Sequence, residues 1–262
     1  MTKKEERKNK LISILKSNNG SSIKTLSKIL DVSEMTIRRD IKELEGKNVI
    51  ETFHGSVVYN PKMNNPMESI QPMEYDLHSN SWLMETEKNK IGKKAVELIE
   101  EGDIIMIDSG TTTEKLSQNI GEDIQCTALI ASSNNLIHLM YKPNIDILFS
   151  GGTMHRDTCM FESAEGLDLI NSVRATKLFL SAAGVHDKLG ITCANAYETE
   201  TKKRFIANSL KVILLVDSSK FGVVKSAHFC DMDQVDTIIT DSGISDDWKK
   251  IIEDSGIELI LC

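Results

Sequence analysis

Two kinds of chemistry are written into this chain, in separate places. Residues 33–47 read SEMTIRRDIKELEGK, with Arg38 and Arg39 adjacent. A guanidinium offers paired donors that match guanine O6 and N7, and hydroxyls such as those of Ser33 and Thr36 contact phosphate or base. The second kind lies further along, in short runs of small polar residues. They are Asp108-Ser109-Gly110-Thr111-Thr112-Thr113, Ser150-Gly151-Gly152, Ser181-Ala182-Ala183-Gly184 and Asp217-Ser218-Ser219-Lys220-Phe221-Gly222. Glycine lets backbone approach an anion, while helix-start N–H groups and threonine hydroxyls donate to it. Asp108 can accept from sugar hydroxyls, and Lys220, the one cation so placed, is a point charge suited to phosphate. Glu198 and Lys202 stand i, i+4, the spacing of an ordinary surface ion pair.

Elements must hold these residues in place. Leu11, Ile12 and Leu15 have helical spacing, and Asn18-Asn19-Gly20 stops that helix. Ser21 or Ser22 caps a second helix carrying Ile23, Leu26, Ile29 and Leu30 on one face, broken at Asp31-Val32-Ser33. A third helix runs to about Glu45 and ends at Gly46, with Ile37, Ile41 and Leu44 inward. Val49-Ile50-Glu51 and Ser56-Val57-Val58 flank His54-Gly55 as a β-hairpin. This order predicts a winged helix-turn-helix over residues 1–58, reading double-stranded operator DNA. Its contact residues are Ser33, Glu34, Met35, Thr36, Arg38, Arg39 and Lys42 from the third helix and His54 from the wing.

Pro61, Pro66 and Pro72 fall in a stretch without apolar periodicity, so residues 59–77 read as a linker. Residues 78–262 alternate strand and helix patterns. Apolar β-type runs occur at Ile104–Ile107, Gln125–Ile130, Asp146–Phe149, Lys177–Leu180, Val212–Val216, Thr237–Ile239 and Glu258–Leu261. Helical patterns cover Ile91–Ile99, Thr112–Ile120, Tyr197–Ser209 and Asp247–Glu253. The expected fold class is therefore α/β, a mostly parallel sheet covered on both faces. The polar runs then fall where strands lead into helices, the usual ligand edge of such sheets.

Charge divides the same way. Residues 1–50 hold nine Lys and three Arg against seven acids, a net +5 within a chain of net −8, which leaves −13 for the rest. A basic head on an acidic body points to a polyanion partner for the head alone. The five cysteines lie far apart, with no C-x-x-C, no H-x-x-x-H, no G-x-S-x-G and no phosphate-binding glycine fingerprint. The chain is thus expected to be a cytoplasmic protein with reduced thiols, no metal or other cofactor, no catalytic residues and no membrane span. Two readings compete with a ligand-controlled regulator. A sugar-phosphate isomerase-like enzyme would have no use for the basic head. A purely architectural DNA-binding protein would have none for the strand-end loops. Self-association is expected through the larger body, since two-fold operators are read by two recognition helices.

VSEMTIRRDIKELE closely resembles the recognition-helix signature of the DeoR family of bacterial transcription regulators. The resemblance continues through HGSVV at 54–58, DSGTTT at 108–113, SGG at 150–152, SAAGVH at 181–186 and VDSSKFG at 216–222. Ser56 stands where many members have a second glycine. Glu198 and Lys202 keep the ends of a Glu-Ala-x-x-Lys pattern whose middle is changed. The resemblance implies a transcriptional repressor whose body resembles ribose-5-phosphate isomerase and binds a sugar phosphate. Carried over, the effector residues are Asp108, Gly110, Thr111, Thr112, Thr113, Gly151, Gly152, Ser181, Gly184, Glu198 and Lys220. SAAGVH and GITCAN are similar to one subset of the family, which implies deoxyribose 5-phosphate as the ligand.

Overall fold

The computed structural model describes residues 3–17, 21–46, 49–53, 56–59, 77, 81 and 83–262. By contacts the chain divides into two units, Met1–Leu83 and Met84–Cys262.

The first unit contains α1 (Lys3–Ser17), β1 (Ser21–Ser22), α2 (Ile23–Ile29), α3 (Glu34–Glu45), β2 (Ile50–Phe53) and β3 (Ser56–Tyr59). Leu11, Leu15, Ile23, Leu26, Ile37, Ile41, Leu44, Ile50 and Val57 form its core. The Ser22 hydroxyl accepts from the Thr25 N–H and so starts α2. Ile29, expected on the buried face of α2, is instead 53% exposed. At 3.6 residues per turn it sits about 120° around the axis from Ile23, off the inward stripe. The wing pairs Ile50 with Tyr59 and Phe53 with Ser56, and Ser21–Ser22 adds a short third strand beside Val57 and Ser56.

Ion pairs lock α1 to α3: Lys4 and Lys8 both reach Glu43, and the most buried pair is Arg7 with Asp40. Arg7 Nε lies 2.6 Å from Asp40 Oδ2 and a second guanidinium nitrogen lies 3.1 Å from Oδ1, with Asp40 fully buried. The hydrogen bond to Asp40 holds the Arg7 pKa above its ordinary value. This bidentate pairing consumes the acid of α3 that faces inward and leaves Arg38, Arg39 and Lys42 exposed.

The second unit follows as α4 (Glu85–Val96), β4 (Ile104–Ile107), α5 (Thr111–Asn119), β5 (Cys126–Ile130), α6 (Ser133–Leu139), β6 (Ile145–Phe149), β7 (Thr153–His155), β8 (Met160–Glu162) and α7 (Ala164–Ser172). It continues with β9 (Ala175–Ser181), β10 (Gly184–His186), β11 (Gly190–Cys193), α8 (Glu198–Ala207), β12 (Ser209–Leu215), β13 (Ala227–Cys230), β14 (Thr237–Thr240), α9 (Asp246–Asp254) and β15 (Glu258–Leu261). The seven apolar runs read from the sequence form one sheet in the order β15-β14-β12-β9-β4-β5-β6. Every neighbouring pair in it is parallel. Ile91, Leu116 and Leu139 place α4, α5 and α6 on one face, and Ile170, Phe205 and Ile252 place α7, α8 and α9 on the other. Strand order runs outward in both directions from the β4/β9 pair. That pair is the switch point at which open α/β sheets bind ligands.

Additions to this sheet are α7, the β7–β8 hairpin and a small antiparallel sheet of order β10-β11-β13. Their strands, such as Thr153–His155 and Gly190–Cys193, are short and mix polar with apolar residues, so they show neither a continuous apolar run nor a period. α4 and α5 approach very closely at Gly92, where a Cβ would stand 2.6 Å from the Lys115 carbonyl carbon. Gly92→Ala should therefore destabilise the second unit by about 1–3 kcal/mol despite alanine's better helix propensity. A lowered denaturation midpoint at unchanged m-value would show it, and an unchanged or raised midpoint would refute the contact.

Candidate functional site

In the first unit, α3 starts at Ser33, whose hydroxyl lies 2.9 Å from Thr36 Oγ1 and accepts from the Thr36 N–H at 3.3 Å. Ser33 and Thr36 thus cap the helix and bond to one another. Met35, Arg38, Arg39 and Lys42 are all exposed, spaced i, i+3, i+4 and i+7, so they share one outward stripe, with Glu34 exposed beside it. Met35 is 75% exposed, unusual for so large an apolar side chain. His54 lies outside the described residues.

In the second unit, the site begins at Asp108, directly after β4 and almost fully buried. Its Oδ2 accepts from the Ser181 N–H at 2.9 Å and the Ser181 hydroxyl at 2.7 Å, and it also takes the Lys202 ammonium. The chain ends of β4 and β9 are thereby tied together, and α8 is tied to both. Gly110 belongs here because a Cβ would stand 2.6 Å from Ser181 Oγ. Asn135 continues the cross-linking. Its Nδ2 donates to the Asp108 carbonyl at 2.9 Å, and its Oδ1 accepts from Ser117 at 3.0 Å.

Lys202 is 1% exposed and Glu198 is 5% exposed, so the supposed surface pair is buried. The reason is visible on the helix. Glu198, Thr201, Lys202 and Phe205 are spaced i, i+3, i+4 and i+7 and form the buried stripe of α8. Burial alone would lower the Lys202 pKa, but Asp108, then Glu198, outweigh it and move it up. Its ammonium also stands 5.1 Å from the centre of the Phe229 ring. Glu198 lies 3.9 Å from Lys202 and accepts from the Asn195 N–H at 3.0 Å. Burial raises its pKa, against the pull of Lys202 and with the help of Asp108.

The remaining sequence-predicted residues are placed unequally. Thr111 and Thr112 open α5, but the Thr113 hydroxyl donates to the carbonyls of Asp108 and Gly110 at 2.7 and 3.0 Å, so it braces the loop from within. Gly151 and Gly152 follow β6 with φ of 62° and 115°. Gly152 also has no room for a Cβ, which would stand 2.3 Å from the Glu162 carbonyl oxygen. Gly184 opens β10, and its Cβ would stand 2.4 Å from the Val223 carbonyl oxygen. Lys220 lies half-buried in the turn after β12. It is not the one cation at this edge, because Lys202 and the buried Lys88 of α4 share it.

Three further polar atoms stand out at this edge, two of them, on Ser109 and Ser150, within the polar runs of the sequence. Ser109 Oγ, Asn134 Oδ1 and Ser150 Oγ are buried without a hydrogen-bond partner, and they follow β4, β5 and β6 in turn. Asp217 Oδ2 after β12 and Thr240 Oγ1 at the end of β14 are likewise unpartnered. Unsatisfied buried oxygens are costly, and these five along one edge mark places where polar groups of a ligand or water belong. Among the described residues, no cluster of three or more His, Cys, Asp or Glu is placed to hold a metal ion, and no helix is long and apolar enough to cross a membrane.

Because Glu198 holds its proton more tightly when folded, its ionisation costs stability as pH rises from the unfolded carboxyl range toward its raised folded value. Gln keeps the oxygen that accepts from Asn195 but cannot ionise. Glu198→Gln should therefore gain melting temperature relative to the wild type on going from about pH 4.5 to about pH 7.5. A difference that shrinks over that interval would contradict the buried, proton-holding carboxyl.

Residues 7–63 match the DeoR-like helix-turn-helix domain and residues 84–242 match the DeoR C terminal sensor domain. The chain is 30% identical to the HTH-type transcriptional regulator GolR of Listeria innocua, over 96% of each chain. It is also 30% identical to the deoxyribose operon repressor of Escherichia coli K12, over 99% of each. The structure of ribose 5-phosphate isomerase A from Methanocaldococcus jannaschii superposes with a TM-score of 0.39 at 18% identity, covering 53% of this chain and 55% of that one. So distant a structural likeness says nothing about chemistry. From recognition helix to sensor sheet, this chain belongs to the DeoR family of transcriptional regulators.

Proposed function

We propose that this protein is a transcriptional repressor whose grip on operator DNA is set by a sugar phosphate bound at the carboxyl edge of the second unit's sheet. The observation that carries the reading is that buried, unpartnered oxygens of Ser109, Asn134 and Ser150 follow the neighbouring strands β4, β5 and β6, the first of them next to Asp108 in the chain. They supply hydrogen-bonding positions for the hydroxyls of a sugar. Thr111 and Thr112 with their helix-start N–H groups, the Gly151-Gly152 turn and Lys220 supply donors for its phosphate. Residues 78–262 net −10, which cannot draw an anion in from a distance, so affinity must come from these short-range donors.

Deoxyribose 5-phosphate is the effector we favour, on the SAAGVH and GITCAN segments. The equal 30% identity to GolR and to the deoxyribose operon repressor leaves that choice to measurement. Residues 1–58 read the operator, 59–77 join the units, and 78–262 sense ligand and self-associate. Asp108, Glu198 and Lys202 are also a set of groups an isomerase would use. The same sample decides, because incubation with deoxyribose 5-phosphate or ribose 5-phosphate should return the sugar unchanged.

A thermal-shift screen over deoxyribose, ribose, fructose and glycerol phosphates tests the ligand class. At about 100 times its dissociation constant a ligand stabilises by about 2.7 kcal/mol. Deoxyribose 5-phosphate should bind far more tightly than free deoxyribose, since the phosphate donors are otherwise left unpaired. Lys220→Ala should lose ligand response while keeping ligand-free operator binding. Equal affinity for sugar and phosphate, or a normally responsive Lys220→Ala, would remove this pocket.

On the DNA side, Arg38→Ala and Arg39→Ala should each weaken specific operator binding by about 1–3 kcal/mol where they reach bases. An arginine that touches only phosphate should lower affinity evenly across sequences and flatten the salt slope. Wild-type affinity in both variants at one fixed salt concentration would take α3 out of the interface.

A further inference from the structure

The β7–β8 hairpin follows β6 at the ligand edge of the second unit, and it is tied to two neighbours there. On one side it joins the end of β5, where the Phe161 N–H donates to the Ala131 carbonyl at 2.7 Å and the Ser133 N–H to the Cys159 carbonyl at 2.9 Å. On the other it meets the start of α8. The His155 ring lies flat on the Tyr197 ring, 3.7 Å between centres and 7° from parallel, and His155 Nε2 is 2.8 Å from Glu162 Oε2. The Tyr197 hydroxyl donates to Asp157 Oδ2 at 2.7 Å and lies 3.1 Å from the buried Thr158 hydroxyl. Tyr197 stands at the N-cap of α8 without capping it by its side chain, so its hydroxyl is spent on the hairpin instead.

Asn195 joins this contact to the effector residues. Its Nδ2 shares two hydrogens among three acceptors, Asp157 Oδ2 at 3.2 Å, the Tyr197 hydroxyl at 3.1 Å and Glu198 Oε1 at 3.2 Å. Its backbone N–H donates to the same Glu198 Oε1 at 3.0 Å. One carboxyl oxygen of Glu198 thus takes both the backbone and the side-chain donor of Asn195. The other, Oε2, lies 3.9 Å from the Lys202 ammonium, too far for a hydrogen bond. A hydroxyl group set against both would bridge that gap. It suits Oε2 in either protonation state, because a hydroxyl donates to a carboxylate and accepts from a carboxylic acid.

We propose that the β7–β8 turn is a positioning brace for the sugar end of the site: Asp157, acting through Tyr197 and Asn195, pins Glu198 by Oε1 and so presents Oε2, beside Lys202, to a hydroxyl of the ligand. The proposal rests on the sugar-phosphate reading above and deepens it, by naming Asn195 and Asp157 as residues that set sugar affinity without touching the sugar. The brace also acts on the proton of Glu198. The charged and titratable groups facing this carboxyl are Lys202 on its own helix, Asp108 after β4, Cys193 of β11 and Tyr197, with Asp157 behind Asn195. Burial and Asp108 raise its pKa, whereas Lys202 and the two bonds from Asn195 lower it. Removing the Asn195 side chain therefore raises the Glu198 pKa further, and the stability lost on its ionisation between about pH 4.5 and about pH 7.5 grows. A residue that only held the fold together would leave that loss unchanged.

The test uses the full chain. Calorimetry with deoxyribose 5-phosphate reads affinity. Melting temperatures of each protein with and without Glu198→Gln, taken without ligand at about pH 4.5 and about pH 7.5, read the carboxyl. Asn195→Ala and Asp157→Ala should each weaken deoxyribose 5-phosphate binding by about fivefold or more, the worth of about one net hydrogen bond. Asp157→Asn, whose amide oxygen accepts the same two bonds, should recover most of that loss. In the Asn195→Ala background, the gain in melting temperature from Glu198→Gln over this pH interval should exceed the gain in the wild type. Tyr197→Phe keeps the ring on His155 and loses only the hydroxyl, so it should also weaken binding, and it serves should Asn195→Ala fail to fold. Wild-type affinity in Asn195→Ala or Tyr197→Phe, a loss in Asp157→Asn as large as in Asp157→Ala, or an unchanged gain from Glu198→Gln would each overturn the brace. A wild type that binds no sugar phosphate, while the gain from Glu198→Gln grows as expected, would instead sink the ligand reading and leave the pinned carboxyl standing.

Discussion

The second unit is organised around one buried ion pair, Asp108 with Lys202. Neither group can be removed singly without leaving an uncompensated charge in the interior, which typically costs several kcal/mol. The pair joins the two central strands at the switch point of the sheet and fixes α8 above them. Ser181, Gly110 and Asn135 are arranged about it, and each has a contact there that a bulkier or apolar residue would lose. Such an arrangement is stiff. Around it, Ser109 Oγ in the loop after β4 and Ser150 Oγ after β6 are buried without a hydrogen-bond partner.

The first unit solves a different problem with the same device. A basic segment that must meet a polyanion cannot also leave its charges free to repel one another in the core. Asp40 takes Arg7, and Glu43 takes Lys4 and Lys8, so these cations of α1 are paired while Arg38, Arg39 and Lys42 of α3 stay exposed. Met35 among those exposed cations gives the outward stripe an apolar element. That suits a groove lined by thymine methyl groups as well as guanine acceptors.

Much of this was legible beforehand because period and burial agree. All seven central strands were apolar runs with no alternative period, and α3 carried its cap, its stripe and its arginines in plain order. The small antiparallel additions escaped because their three- and four-residue strands mix polar with apolar residues and offer no continuous apolar run. Lys202 escaped for another reason, since an i, i+4 Glu–Lys pair looks the same whether it faces water or a carboxylate in the interior. Its shared stripe with Thr201 and Phe205 was the available signal. Lys88 sits among Lys90, Lys93 and Lys94, so its charge drew no notice. Only its spacing to Ile91, Gly92 and Ala95 marks it as inward. Thr113 shows the reverse case, a residue of the right chemistry turned inward to brace its own loop.

Coupling between the two units is the central claim, and binding linkage makes it measurable in one titration. Fluorescence anisotropy of a labelled operator with the full wild-type chain, at one salt concentration, should be recorded with and without saturating deoxyribose 5-phosphate. The account predicts a saturable change in operator affinity of at least about fivefold, the lower end of ordinary allosteric coupling. Operator affinity that stays the same while calorimetry shows the sugar phosphate bound would contradict it.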